Sequence, residues 1–253
     1  MLYFRYSKNK ELRVLGRLKK KFLEVNKNYV QARTKYSFPT GLDILDYKNG
    51  KLIQPPRADA YASVGVNEGS FIQIIGASGA GKSTLGLQIA FNIVRDFPEA
   101  EIYIDDIESA HDETRFMTLS GWTADEIEDR ITYRDTGVTA ESFYESLLTI
   151  YKLKKEMLKE LTTDTGKLTA KGNPLVIIEP TVYFIDSLAV LSPQDVLEGE
   201  EIAGNMAGAR NAIVNSKLFT SLIPKLREVN IILIGINHIT TKVSTNPKFN
   251  WGF

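Results

Sequence analysis

One stretch, Phe71 to Leu87, constrains this chain more than any other. Phe71–Ile75 is an apolar run of strand length. The next eight residues read Gly76-Ala77-Ser78-Gly79-Ala80-Gly81-Lys82-Ser83, and Thr84 to Val94 carries apolar residues at helical spacing. The octapeptide satisfies G-x-x-x-x-G-K-[ST] at every fixed position, and a strand before it with a helix after it is the context in which that pattern forms a phosphate-binding loop. Three glycines and two alanines let successive backbone N–H groups curl around a phosphate as a nest. The following helix adds its unpaired N–H groups and its dipole. Lys82 is placed to reach β- and γ-phosphates, and the Ser83 hydroxyl to ligate Mg²⁺.

The rest of the composition excludes several classes. The 253 residues suit one large domain, or one domain with an appendage, and 43 % hydrophobic with 25 % charged residues is ordinary for a globular protein. There is no cysteine, so disulfides, thiolate catalysis and cysteine-held zinc are out. Two histidines, His111 and His238, are too few for a histidine-rich metal site. The N-terminus MLYFRYSKNK lacks a signal-peptide apolar region, and no apolar run is long enough to span a membrane, so a cytoplasmic location is expected. Formal net charge is zero, so any affinity for nucleic acid has to come from local patches.

One such patch is the N-terminus. Residues 1–36 hold eleven lysines and arginines against Glu11 and Glu24, a net of +9. Leu12, Leu15, Leu18, Phe22 and Val25 recur at spacings of three and four, giving a basic helix with one apolar face. Such a face packs on its own core, on a neighbouring subunit or on a membrane surface, and the neighbour is the preferred reading. Residues 1–36 are therefore set apart from a core of residues 37–253.

The core alternates strand and helix signals, which implies a mostly parallel sheet flanked by helices. Strands are expected at Phe71–Ile75, Glu101–Asp106, Ile131–Arg134, Leu175–Ile178, Thr181–Ser187 and Ile231–His238. Helices are expected at Thr84–Val94, Asp112–Ser120, Thr139–Leu161 and Met206–Val229, the last bent or broken near Pro224. Residues 48–70 read as a surface loop or hairpin, Thr162–Pro174 as a polar loop, and Leu188–Asn205 as a loop. Ligands in open α/β sheets bind at the carboxyl ends of strands, so the acids there are candidates. Asp186 follows an apolar run and is the favoured support for a metal ion, with Asp105 as the competitor. Glu108 is the candidate for polarising a water molecule. His238 is either a γ-phosphate sensor or an ordinary polar residue at a strand end.

These features occur in an order that resembles the RecA-type strand-exchange ATPases, with most similarity to the UvsX recombinases of bacteriophages and to bacterial RecA. Thr40-Gly41-Leu42-Asp43 resembles the family's opening motif. Ile104-Asp105-Asp106-Ile107-Glu108 resembles the strand before its catalytic glutamate, with one extra residue. Phe184–Pro193 resembles its second nucleotide motif, Glu198-Gly199-Glu200 with Met206 and Arg210 its first DNA loop and the helix after it, and Asn237-His238 its sensor. The resemblance covers about residues 37–250.

It implies a RecA-like P-loop NTPase fold and a DNA-dependent ATPase that forms helical filaments on single-stranded DNA and promotes strand exchange. ATP and Mg²⁺ would be held by Gly76 to Thr84, with Ser83 and Asp186 at the metal. Glu108, Lys82 and His238 would act in catalysis, and Arg115 would stack on the adenine. DNA would meet Asn205 and Arg210 in residues 194–209, and Lys242, Lys248, Phe249 and Trp251 in residues 239–253. Residues 1–36 would dock on the adjacent protomer. The family continues with further strands past this point, so an incomplete sheet edge and weak hydrolysis are expected. A ring helicase, a KaiC-like ATPase or a nucleotide-binding fragment are the other readings.

Overall fold

The structure is a computed structural model that describes residues 21–22, 24–25, 36–49, 64–169, 172–192 and 219–239. The chain divides into two compact units, Met1–Thr34 and Lys35–Phe253. In the first, residues 21–22 and 24–25 are helical, and the rest of the expected basic helix lies outside the described residues.

The second unit is built on a five-stranded parallel sheet. Its strands are β3 (Phe71–Gly76), β4 (Glu101–Asp106), β5 (Ile131–Arg134), β8 (Thr181–Asp186) and β9 (Ile231–His238), in the spatial order β3-β9-β8-β4-β5. Every pairing in it is parallel. The central strand β8 is buried along its whole length, and the first six residues of β9 are buried too. That is why both read as continuous apolar runs and not as alternations. Their side chains nevertheless alternate between two cores. Val182, Phe184, Ile232, Ile234 and Ile236 join Leu87 and Phe91 on one face. Tyr183, Ile185, Ile231 and Leu233 join Phe143, Leu147, Leu222 and Leu226 on the other.

The helices follow from this. After the phosphate loop, α2 (Lys82–Val94) covers the first face. Gly86 allows its close approach, because a Cβ there would lie 2.7 Å from the Phe184 ring. On the other face lie α5 (Ala140–Glu156) and the helical residues 219–228, here α6. The latter helix is unbroken across Pro224, with Leu222 and Leu226 on either side of the proline anchored in the core. Residues 206–218 of the expected helix lie outside the described residues.

The opening motif is a clasp. Asp46, on α1 (Asp43–Asn49), accepts from the Thr40 N–H at 2.8 Å and from its hydroxyl at 2.7 Å. Asn92 on α2 then donates to the Thr40 carbonyl at 2.8 Å. Gly41 sits at φ 79 in the left-handed region, where a Cβ would strike Asn92.

Several expectations need correction. Residues 162–174 are not a polar loop. Thr162–Leu168 (β6) pairs antiparallel with Pro174–Ile178 (β7), with a register shift between Asp164 and Leu168 where Gly166 takes φ 68. The polar threonines mask a strand whose residues alternate between exposed and half-buried. Within residues 48–70, Val66–Asn67 (β2) pairs with Ser37–Phe38 (β1). α5 ends at Glu156, short of Leu161. Between Gly121 and Ile131 lies α4 (Ala124–Arg130), which the reading of periodicity missed although Thr123 and Glu126 form a reciprocal capping box. A short helix, α3 (Glu113–Ser120), precedes it near the expected Asp112–Ser120, with Asp112 as its N-cap and not its first residue.

Candidate nucleotide-binding site

The phosphate loop links the carboxyl end of β3 to α2. Gly79 and Gly81 take φ 74 and 78, a region costly for any residue with a Cβ, and neither position has a neighbour within 4 Å. Gly81 caps α2 without a side-chain hydrogen bond, so no side chain occupies the N–H groups of the first turn. Ala77 to Gly81 are exposed, which leaves these donors open to an anion. Lys82 is 7 % exposed and its Nζ donates to the Ala77 carbonyl at 2.8 Å. The ammonium thus already lies inside the curl of the loop.

The sheet register aligns the rest. Gly76 pairs with His238, and Asp106 with Asp186, at the carboxyl ends of four neighbouring strands. The Ile107 N–H donates to the Asp186 carbonyl at 2.7 Å, and the Ile239 N–H to the Gly76 carbonyl at 3.2 Å. These bonds hold the connecting segments on the same edge. Glu108 Oε1 lies 2.7 Å from His238 Nε2, and Glu108, Asp186 and His238 each offer a ligand atom within 4.8 Å of the others. Residues far apart in sequence are thus gathered beside the loop.

Of the two competing acids, the structure separates the surroundings clearly. Asp105 is occupied. Arg134 on β5 grips it at both oxygens, 2.8 Å each, and the Tyr183 hydroxyl donates to it at 2.5 Å. It lines a separate cavity of about 480 Å³ with Arg134, Tyr183 and residues of α5. Asp186 is 1 % exposed and its Oδ1 has no hydrogen-bond partner. Burial pushes its carboxyl up, yet the His111 imidazole, the Ser83 hydroxyl and the charge of His238 hold it below the ordinary carboxylate range. An open, ionised carboxylate beside Ser83 is the donor set a hard cation takes, so Ser83 and Asp186 fit Mg²⁺.

Arg115, on α3, donates from Nη2 to Thr84 Oγ1 at 2.6 Å. It walls a cavity of about 430 Å³ with Thr84, Asp112, Thr118 and Leu119, next to the start of α2. A flat guanidinium at the wall of such a cavity offers a stacking surface for a planar ring.

Three residues escaped the sequence reading. Asp106 is fully buried, and its Oδ2 accepts from the N–H groups of Ala110 and His111 at 2.8 and 2.9 Å and from the Tyr133 hydroxyl at 3.0 Å. Together Asp106 and Tyr133 fix the turn that carries Glu108, in which Ser109 takes φ 49. His111, at the end of that turn, points Nε2 toward Asp186 Oδ2 at 3.6 Å, beyond hydrogen-bond range. A run of acids at the end of β4 and just past it was visible in the sequence; their division into Arg134-bound, turn-holding and exposed members was not. Asn205, Arg210, Lys242, Lys248, Phe249 and Trp251 lie outside the described residues.

The family comparison decides what kind of phosphate site this is. The profile described as "ATPase: KaiC" matches residues 40–238. The chain belongs to the KaiC ATPase family. The match starts at Thr40 of the clasp and ends at His238, so it takes in all five strands of the main sheet. No curated protein matches the chain. KaiC ATPases are RecA-fold P-loop proteins, which agrees with the parallel sheet and its flanking helices. Among the described residues no helix is long and apolar enough to cross a membrane.

Proposed function

We propose that this KaiC-family chain is an ATP-hydrolysing strand-exchange protein that assembles on single-stranded DNA. The observation that carries the reading is the 2.7 Å contact between Glu108 and His238. It joins a carboxylate suited to accept a proton from water to the last residue of β9, beyond which lie Lys242, Lys248, Phe249 and Trp251. The neighbouring strand β8 leads through Ser192 toward Asn205 and Arg210 from the same sheet edge. The segment with Lys242 and Trp251 follows in sequence directly on the strand that ends in His238, a connection suited to coupling γ-phosphate state to DNA grip.

The residues divide the work as follows. The N–H groups of the loop and of the first turn of α2 bind phosphate oxygens, and Lys82 exchanges the Ala77 carbonyl for the β- and γ-phosphates. Arg115 stacks on the base. A Mg²⁺ ion held by Ser83 and Asp186 would neutralise charge that develops on the phosphates. Glu108 orients water in line with the γ-phosphorus and accepts its proton, while Asp106 and Tyr133 keep the turn in place. His238 leaves Glu108 when the γ-phosphate arrives and donates to it instead. Residues 1–36 act as the arm that docks on the next protomer, and such a head-to-tail contact that does not close builds a filament.

The family match supports equally a second reading, a KaiC-like ATPase, whose expected signs are rings and turnover indifferent to DNA. Phosphate release with and without single-stranded DNA, together with electron micrographs, separates the two. DNA-stimulated turnover and filaments support strand exchange. Rings whose turnover is unaffected by DNA overturn it in favour of the second reading.

A further inference from the structure

The nucleotide edge contains a side chain that the functions assigned so far do not use. The His111 side chain is 1 % exposed, and neither ring nitrogen has a hydrogen-bond partner. A buried imidazole whose charged neighbour, Asp186, lies beyond hydrogen-bond range is costly, and native proteins rarely leave one so without a reason. Its ring is not loosely placed. The His111 N–H is held by Asp106, and the ring lies beside Phe116 and Phe184, with centroids 6.2 and 6.3 Å away. These contacts aim Nε2 at Asp186 Oδ2, 3.6 Å away. That separation is too long for a hydrogen bond, and it is near the roughly 3–3.5 Å that separates two donors of one cation. The unpartnered Asp186 Oδ1 and Ser187 Oγ are further orphaned acceptors at the same strand end.

We propose that His111 is a third protein donor, with Ser83 and Asp186, to the divalent cation that accompanies the nucleotide, and that its nitrogen tilts the site toward Mn²⁺ or Co²⁺ over Mg²⁺. The proposal rests on the nucleotide reading above. Its chemistry is that of donor softness. Mg²⁺ takes oxygen ligands and gives up water reluctantly, whereas affinity for a nitrogen-containing site rises from Mn²⁺, itself at home among oxygen ligands, to Co²⁺. A site made only of a serine hydroxyl and a carboxylate distinguishes them weakly. Adding a preoriented imidazole sharpens the distinction. The low histidine count of the chain does not oppose this, because the site needs a single nitrogen added to oxygen donors already in place.

The test uses the full chain with a non-hydrolysable ATP analogue. Retention of the labelled analogue is measured first, and the bound Mn²⁺ is then examined by electron spin echo modulation for coupling to ¹⁴N. Wild type and His238→Ala are expected to show imidazole coupling, and His111→Leu to lack it. His111→Gln, which keeps a polar side chain and offers oxygen, guards against a packing failure in the leucine variant and is expected to lose the coupling as well. In both His111 variants the preference for Mn²⁺ over Mg²⁺, from competitive binding, should fall about tenfold or more. Analogue and Mn²⁺ bound without nitrogen coupling in wild type, or with coupling that survives both His111 variants, overturns the proposal and leaves the nucleotide reading standing. Failure to retain the analogue with any cation overturns both.

Discussion

The two edges of the central sheet treat buried polar groups in opposite ways. At the amino-terminal edge they are closed on one another. Lys154 Nζ donates to the Glu179 carbonyl at 2.6 Å and to Thr181 Oγ1 at 2.8 Å. Asn230 accepts from the Gly69 N–H at 3.1 Å and donates to the Ile178 carbonyl at 2.6 Å. Glu179 accepts from the Glu99 N–H at 2.9 Å. At the carboxyl-terminal edge Asp105 is closed by Arg134 and Tyr183, but several other groups are left open. Among the described residues, the buried side-chain atoms without a partner belong to Asp106, His111, Arg115, Asp186 and Ser187, on strand ends, the turn after β4 and the first turn of α3. Unmade hydrogen bonds of this kind cost about 1–3 kcal/mol each. A protein that leaves such groups unsatisfied at one edge is holding them for something that binds. The amino-terminal edge serves stability, and the open groups of the other serve ligand.

Variants can break this contrast, and the largest effect should come from Lys82→Ala. It removes the cation inside the loop without touching the core, so turnover should drop about 10²–10³-fold while the apo melting temperature stays close to wild type. Phosphate release and calorimetry check it, and unchanged turnover would remove the loop from the chemistry.

Next come the two aspartates. Asp186→Asn should weaken cation-dependent nucleotide binding about tenfold or more with little change in stability. Asp105→Asn should do the reverse, costing about 1–3 kcal/mol of stability through Arg134 and Tyr183 with nucleotide affinity intact. Titration of each variant with nucleotide, beside its denaturation curve, would expose a swapped assignment.

The Asp105–Asp186 choice also shows where sequence reading stops. Both acids lie at the carboxyl ends of apolar strands, and the pattern favoured Asp186 without excluding Asp105. What separates them is the pairing of Asp105 with Arg134 across β4 and β5, a register no local pattern carries. His111 and Tyr133 were missed for the same reason, since their importance lies in reaching strand ends distant in sequence. The phosphate loop was legible because its donors are contiguous. Glu108, Asp186 and His238 were legible as candidates because parallel strands bring their carboxyl ends to one edge. The hairpin of β6 and β7 was not, because threonine and lysine at alternating positions mimic a loop when no apolar face reports the period. The α4 helix could have been found from Thr123 and Glu126 alone.

The closed edge gives a pH signature. Burial lowers Lys154 from its ordinary 10.5 to about 7, against the raising effect of Glu101 and Glu179. The unfolded chain therefore binds more protons than the folded one between those values, and stability should climb as pH rises from about 7 toward 10.5, by up to about 1.4 kcal/mol per unit. Below about pH 7 both states carry the proton and the gain is absent. Lys154→Met should flatten that climb in urea denaturation series, and a climb that persists would mean the ammonium is not the group responsible. The smallest effect belongs to Thr123→Ala, which removes the capping box of α4, remote from the phosphate loop. A loss of about 1 kcal/mol, read from the melting temperature with nucleotide affinity unchanged, would keep the two edges separate in function.

If the open edge hydrolyses ATP with Glu108 as the proton acceptor, single-turnover phosphate release from preloaded ATP should respond sharply to Glu108→Gln. ATP should be held as tightly as in wild type and release slowed about 10²–10⁴-fold. Release at the wild-type rate, or loss of ATP binding together with release, would contradict that role for Glu108.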